Sequence, residues 1–194
     1  METTVGEKLK CGASTLVFCT GLYIITNRIT SGFENTFQMF LKWELNIPLI
    51  PWFIIFYASF YLLILIGFGA CKSRHDLKRL SWQMILSTII ACGCFLIFPG
   101  ELGFNRMEIL GLFGPIYKFL FILDNPTNLY PSVHITFSYF LIFAILKEVK
   151  QVFCRVLFVI WFFLICSSVV LVHQHHLFDV VAGFLLGIFI QRVV

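Results

Sequence analysis

Charge is what this chain has least of. Only 12% of its 194 residues are Asp, Glu, Lys or Arg, while 59% are hydrophobic. A soluble domain of ordinary composition carries roughly 25% charged residues, so the chain reads as an integral membrane protein and no nucleic-acid partner is expected. Internal repeats and low-complexity tracts are also missing. The seven cysteines, at 11, 19, 71, 92, 94, 154 and 166, show neither metal-ligand spacing nor the framework of a loop-rich secreted domain. They read as small apolar packers, with Cys71, beside a basic loop, as a weak acylation site. No small-residue cleavage site and soluble domain follow the first apolar segment, which therefore reads as an anchor rather than a removed signal peptide.

What is there is a series of apolar segments: 11–26, 47–70, 80–98, 131–146, 152–172 and 177–194. The expected fold is all-α, a polytopic membrane helix bundle of six transmembrane helices in a single domain over 1–194. Between the first two spans, Phe33, Phe37, Phe40 and Leu41 recur at helical spacing against Glu34, Gln38 and Lys42. That pattern predicts a short amphipathic interfacial helix within 27–46. The longest interruption, 99–130, carries Arg106, Lys118 and Asp124, and its second half is apolar enough to pack on the bundle or the interface.

Basic residues set the orientation. With the N- and C-termini in the cytoplasm, ten of the fourteen Lys and Arg residues fall inside (Lys8, Lys10, Lys72, Arg74, Lys78, Arg79, Lys147, Lys150, Arg155 and Arg192). Only Arg28, Lys42, Arg106 and Lys118 fall outside, as the positive-inside bias requires. Every histidine except His75 then lies at the non-cytoplasmic face.

Two polar clusters interrupt the apolar helices there. In VHQHHLFD (172–179), His175 and Asp179 are four residues apart and share one helix face. An unpaired Asp in hydrocarbon costs about 2.5–3.5 kcal/mol, and His175 is its nearest partner. A carboxylate on one imidazole nitrogen leaves the other free and basic. The plainer reading is a polar cluster that anchors a helix end. In YPSVH (130–134), Pro131 opens a helix with Ser132 as candidate N-cap and first-turn N–H groups free for an anion. His134 adds a titratable group, and the plainer reading is a capped helix with one interfacial histidine. His173 reads as an interfacial polar residue, and His176 points away from the His175–Asp179 face.

Pro131-Ser132-x-His134, followed some forty residues later by His175-x3-Asp179 on a six-span chain, resembles the type 2 phosphatidic acid phosphatase superfamily. Its motifs are K-x6-RP, PSGH and SR-x5-H-x3-D. Ser168 fits the third, and Asp179-Val180-Val181-Ala182-Gly183 is similar to its usual continuation. The first motif is degraded: Arg106 is retained, Met107 stands where Pro is expected, and no lysine lies at the expected distance. Val169 replaces the third-motif Arg. The run from Phe98 to His134 looks most like a divergent bacterial branch. The resemblance covers roughly 95–190.

The resemblance implies His175 as the nucleophile that carries a phosphoryl group, Asp179 as the group that fixes its tautomer, and His134 as the acid and base at the leaving oxygen and water. It implies Arg106 and Ser132 as phosphate holders, with Lys118 as a substitute for a missing cation. No cofactor or metal is implied. The expected activity is hydrolysis of a lipid phosphate or diphosphate monoester at the periplasmic face of a bacterial inner membrane. The alternative is a lipid phosphotransferase similar to sphingolipid synthases, since the site lacks two of the family's cations and suits a less charged, diester-like group. A metal site or transporter built on His-x-His-His and Asp179 would leave His134 and Arg106 without a role, and a vestigial scaffold is the remaining reading.

Overall fold

Among the described residues, seven α-helices form where the apolar runs are longest, and their ends fall at polar punctuation. The computed structural model describes residues 2–194 and gives α1 (Val5–Thr30), α2 (Ile54–Ala70), α3 (Arg74–Ile97), α4 (Gly114–Leu123), α5 (Val133–Glu148), α6 (Val152–Leu171) and α7 (Leu177–Val193). Helix α1 starts at a capping box in which Thr4 and Glu7 satisfy each other's backbone N–H groups. Ser73 caps α3 through Asp76. Some buried hydroxyls donate to their own helices: Thr15 to the Cys11 carbonyl (2.8 Å) and Thr88 to that of Met84 (2.8 Å). All seven cysteines are free thiols. Cys71, read from sequence as a weak acylation site, is buried and lines a cavity at one end of the bundle.

Helices α1, α3 and α6, and α2 with the 3₁₀ turn that precedes it (Pro51–Phe53), are long and apolar enough to cross a membrane, consistent with an integral membrane protein. The other two candidates are shorter, with 16 residues in α5 and 17 in α7, or about 24–26 Å at 1.5 Å per residue. Helix α5 is the hub. It packs against α2, α3, α6 and α7, and it is buried on every face from Ile135 to Ile142, so it needs no lipid-facing stripe. Gly183 allows α7 to touch it: a Cβ there would stand 2.5 Å from the Ser132 carbonyl oxygen. The Thr136 hydroxyl crosses the same contact to the Gly183 carbonyl (2.8 Å).

The interfacial helix expected within 27–46 does not form. Helix α1 continues to Thr30, the chain then runs irregularly, and only Lys42–Asn46 coils into a 3₁₀ turn. The helical spacing of the phenylalanines misleads because they face different partners. The backbone at Phe37 pairs with Pro99 and Glu101, and the Phe40 ring stacks on His176 at 4.3 Å. A short apolar helix lies instead at α4, held to the bundle by buried Tyr117 while Ile116, Phe119 and Ile122 stay exposed.

Long-range bonds sort the chain into two ends. At one, Lys8 donates to the Gly69 carbonyl, Lys147 pairs with Asp76, and Arg79 reaches Gln191. At the other, Asn27 reaches Asn125, Ser132 reaches Asp179, and His173 reaches Ile47. The helices run alternately between these ends.

Candidate active site

The second end collects the polar residues singled out from sequence. The break between α6 and α7 (His173–His176) places His175 over the start of α7, and its backbone N–H is fixed by the Val169 carbonyl (2.9 Å). His175 Nδ1 stands 3.4 Å from Asp179 Oδ2, with both side chains almost fully buried. The contact is ion-pair close but lacks hydrogen-bond alignment, and Nδ1 has no other partner. Asp179 Oδ2 also accepts the His176 N–H at 2.8 Å. The carboxylate is therefore a helix cap as well as the imidazole's neighbour.

His134 sits one residue into α5. Its ring lies 6.1 Å from that of His175, nearly edge-on, and rests on Tyr57 (4.7 Å) and Phe60 (4.8 Å) from α2. Ser132 precedes α5 after a cis Tyr130–Pro131 bond. Its side chain does not cap the helix: Oγ is buried without a partner, while its N–H donates to the Asp179 carbonyl at 3.1 Å. That corrects the expected capping role and leaves the hydroxyl free beside the dyad. The first intrahelical bond of α5 is made by Thr136 to Ser132, so the N–H groups of Val133, His134 and Ile135 precede it, as at any helix start.

Arg106 reaches this end from the 99–113 loop. Its guanidinium donates to the Asp124 backbone carbonyl (2.7 Å) and to Gln174 Oε1 (3.4 Å) and lies over the Phe121 ring. Burial lowers its pKa, opposed by Asp124. Lys118, on exposed α4, does not join the histidines. It lines, with Arg106, a cavity of about 800 Å³ between α4 and the 106–111 loop. Ser168 turns its hydroxyl back to the Ile165 carbonyl (2.7 Å), and Val169 is fully buried in an apolar cluster with Tyr57, Tyr117 and Ile135. Among the described residues no cation stands where the family's third motif has one.

The three histidines of 173–176 diverge. His173 Nε2 donates to the Ile47 carbonyl (2.9 Å), and its ring stacks on Phe104 at 3.9 Å. His176 lies between Phe40 and Phe104, with Nδ1 3.3 Å from Glu44 Oε2 and Nε2 against the Leu102 carbonyl. Among the described residues no three His, Cys, Asp or Glu side chains gather as metal ligands would.

Several participants carry no sequence signal of their own. Asp124 accepts hydrogen bonds from the Tyr23 hydroxyl (2.9 Å) and, more weakly, from Asn27 (3.4 Å). Burial pushes its carboxyl above the usual range, while Tyr23, His175 and Arg106 pull it back. Glu44 is buried and accepts the N–H groups of Leu41 and Leu177, each at 2.9 Å. Tyr23, Asn27 and Leu177 lie roughly 100 residues or more in sequence from the carboxylates they meet.

A histidine pair backed by a carboxylate, at one end of an apolar helical bundle and next to a Gln174 that a guanidinium reaches, is the arrangement of a helical protein of membrane-like composition with polar groups gathered at one end. The comparison with known families is more specific. Residues 118–193 match the family model described as the PAP2 superfamily, so over that stretch the chain is similar to the type 2 phosphatidic acid phosphatase superfamily. No curated protein sequence matches the chain.

Proposed function

We propose that the chain hydrolyses a lipid phosphate or diphosphate monoester at the non-cytoplasmic face through a phosphohistidine. The observation that carries this reading is the facing pair His175 and His134, 6.1 Å apart with Asp179 behind His175. A phosphoryl group held between the rings meets His175 on one side and presents its leaving oxygen to His134 on the other. With Asp179 on Nδ1, the Nε2 lone pair of His175 attacks phosphorus, and the ester P–O bond breaks. His134 protonates the departing oxygen. His134 then takes a proton from water, whose oxygen attacks phosphorus and releases His175. Arg106, the Ser132 hydroxyl and the α5 first-turn N–H groups stabilise charge on the phosphoryl oxygens, the chief demand of phosphoryl transfer.

A second reading is favoured by a specific observation. Val169 sits in an apolar cluster, Lys118 lies outside the histidine pair, and Asp124 adds an acid near Arg106 and His175. One guanidinium facing such an acid suits a monoanionic diester better than a dianionic monoester. On this reading an alcohol on another lipid replaces water, and a phospho-headgroup is transferred.

The test is a panel of lipid monoesters, diphosphates and diesters, with released phosphate and new lipid products read together. Free phosphate supports hydrolysis, a new phospholipid without free phosphate supports transfer, and neither product from any lipid overturns both. Sidedness is tested in cysteine-free protein. An impermeant thiol reagent on intact cells should label a cysteine at exposed Asn105 and not one at exposed Lys78. The reverse pattern overturns the orientation.

A further inference from the structure

The end of the bundle opposite the histidines holds a second cavity, of about 480 Å³, where α3, α5, α6 and α7 converge. At 1.5 Å per residue, the thirteen residues of α5 from His134 to Lys147 separate it from the dyad by roughly 20 Å. We propose that this cavity binds the phosphodiester headgroup of an acidic phospholipid drawn from the leaflet facing it.

Its charge balance carries the inference. Arg79, Lys147, Arg155, Asp76 and Glu148 all line it, but both carboxylates are already occupied. Asp76 takes Lys147 at 2.5 Å and Glu148 takes Lys72 at 2.7 Å. Among the described residues neither Arg79 nor Arg155 stands within ion-pair distance of a carboxylate. Arg155 donates to the Leu146 and Val149 carbonyls at the end of α5. Arg79 makes one bond, to the Gln191 carbonyl at 3.1 Å, and its Nε is buried with no partner. A guanidinium has five donors in a fork that matches phosphate oxygens. Leaving such a group sheltered without an anion is costly, and an incoming phosphodiester removes that cost.

The walls decide between a free anion and a lipid. Leu80, Phe140, Phe143 and Ala144 line the same cavity, and Phe143 is about half exposed on the outer surface of the bundle. Two guanidinium groups next to an apolar wall that opens sideways match a headgroup whose glycerol and first methylenes continue into hydrocarbon. Inorganic phosphate would leave that wall unused. The proposal does not depend on the chemistry at the histidines.

The test is thermal unfolding of the full chain in a neutral detergent with added phosphatidylglycerol, phosphatidylcholine or inorganic phosphate. Phosphatidylglycerol should raise the wild-type midpoint by roughly 3 °C or more, and the other two should not. Arg79→Gln should abolish the shift. Gln191→Glu tests the same point from the other side. The Gln191 side chain lines the same cavity and accepts from Gln83, one helical turn after Arg79, so a carboxylate there supplies the cavity with its own counter-ion and the lipid effect should vanish without loss of fold. An equal shift from phosphatidylcholine or from inorganic phosphate overturns the acidic-lipid assignment. A phosphatidylglycerol shift that persists in both variants overturns the site.

Discussion

Two histidines that are neighbours in sequence each meet a carboxylate, and the pairs look alike. His175 Nδ1 is 3.4 Å from Asp179, and His176 Nδ1 is 3.3 Å from Glu44, with all four side chains at 5% exposure or less. They differ in what lies on the far side of each ring. Beyond His175 is a second titratable ring, His134, with the partnerless Ser132 hydroxyl at the start of the same helix. His176 is closed in by two phenylalanine rings and the Leu102 carbonyl. A buried His–carboxylate pair is therefore no sign of chemistry in itself. The His175 pair faces a second imidazole, while the His176 ring lies between two phenylalanines with Nε2 on a carbonyl and fastens the 37–46 strap to the start of α7.

The sharpest way to break the comparison is His175→Ala. As nucleophile, its loss should lower turnover by roughly 10³-fold or more with little change in the unfolding midpoint, because its ring accepts no load from the fold. Activity above a few per cent of wild type removes it from that role. Asp179→Asn comes next. The amide oxygen can still accept the His176 N–H, so the cap survives, but an amide cannot stabilise an imidazolium. The equivalent Asp-to-Asn change in a serine-protease triad costs about 10⁴ in rate, and roughly 10²–10⁴ is expected here. A rate within threefold of wild type on the lipid the panel identifies would sink the dyad.

Glu44→Ala should show the converse. It strips His176 of its partner and leaves the Leu41 and Leu177 N–H groups without their acceptor. A buried loss of that kind costs about 2–4 kcal/mol. The expected result is a clear fall in the unfolding midpoint, with rate per folded molecule within threefold of wild type, and partial rescue by Glu44→Gln. A catalytic collapse with an unchanged midpoint would show that the His176 pair belongs to the reaction after all.

Sequence reaches the His175 side of this contrast more easily than the His176 side. His175 and Asp179 are four residues apart across the start of α7, and the Pro131–His134 run marks a helix start, so spacing exposes both. Glu44 is 133 residues from the Leu177 N–H it accepts, and Tyr23 is 101 from Asp124. No local pattern announces such partners. The same blindness explains the false interfacial helix: the phenylalanines of 33–41 do recur at helical spacing, but Phe37 and Phe40 are claimed by residues near 100 and 176. The apolar spans were legible because burial in a bundle demands long apolar runs whatever their partners. The short α5 and α7, of 16 and 17 residues, are legible only as apolar segments.

His173 sharpens the comparison from a third position, with the smallest effect. It shares the Phe104 ring with His176 yet is only half-buried, and burial lowers its pKa although its bond to the Ile47 carbonyl pulls the other way. In the unfolded chain an imidazole titrates near 6.5. A lower folded value means that, as pH falls below about 6.5, the unfolded chain takes up the proton first. His173 thus contributes stability that is present above that pH and lost beneath it. His173→Asn should flatten this decline. Its φ of 55° lies in the left-handed region, which Asn tolerates well, so the backbone is kept. The lost bond to Ile47 lowers the midpoint at every pH and leaves the slope as the readout. Between pH 7.5 and 5.5 the wild-type midpoint should drop by roughly 1–3 °C more than that of the variant, with maximal rate unchanged at pH 7.5. Equal slopes would remove His173 from acid sensitivity, and a loss of rate would move it from the His176 side of the comparison to the His175 side.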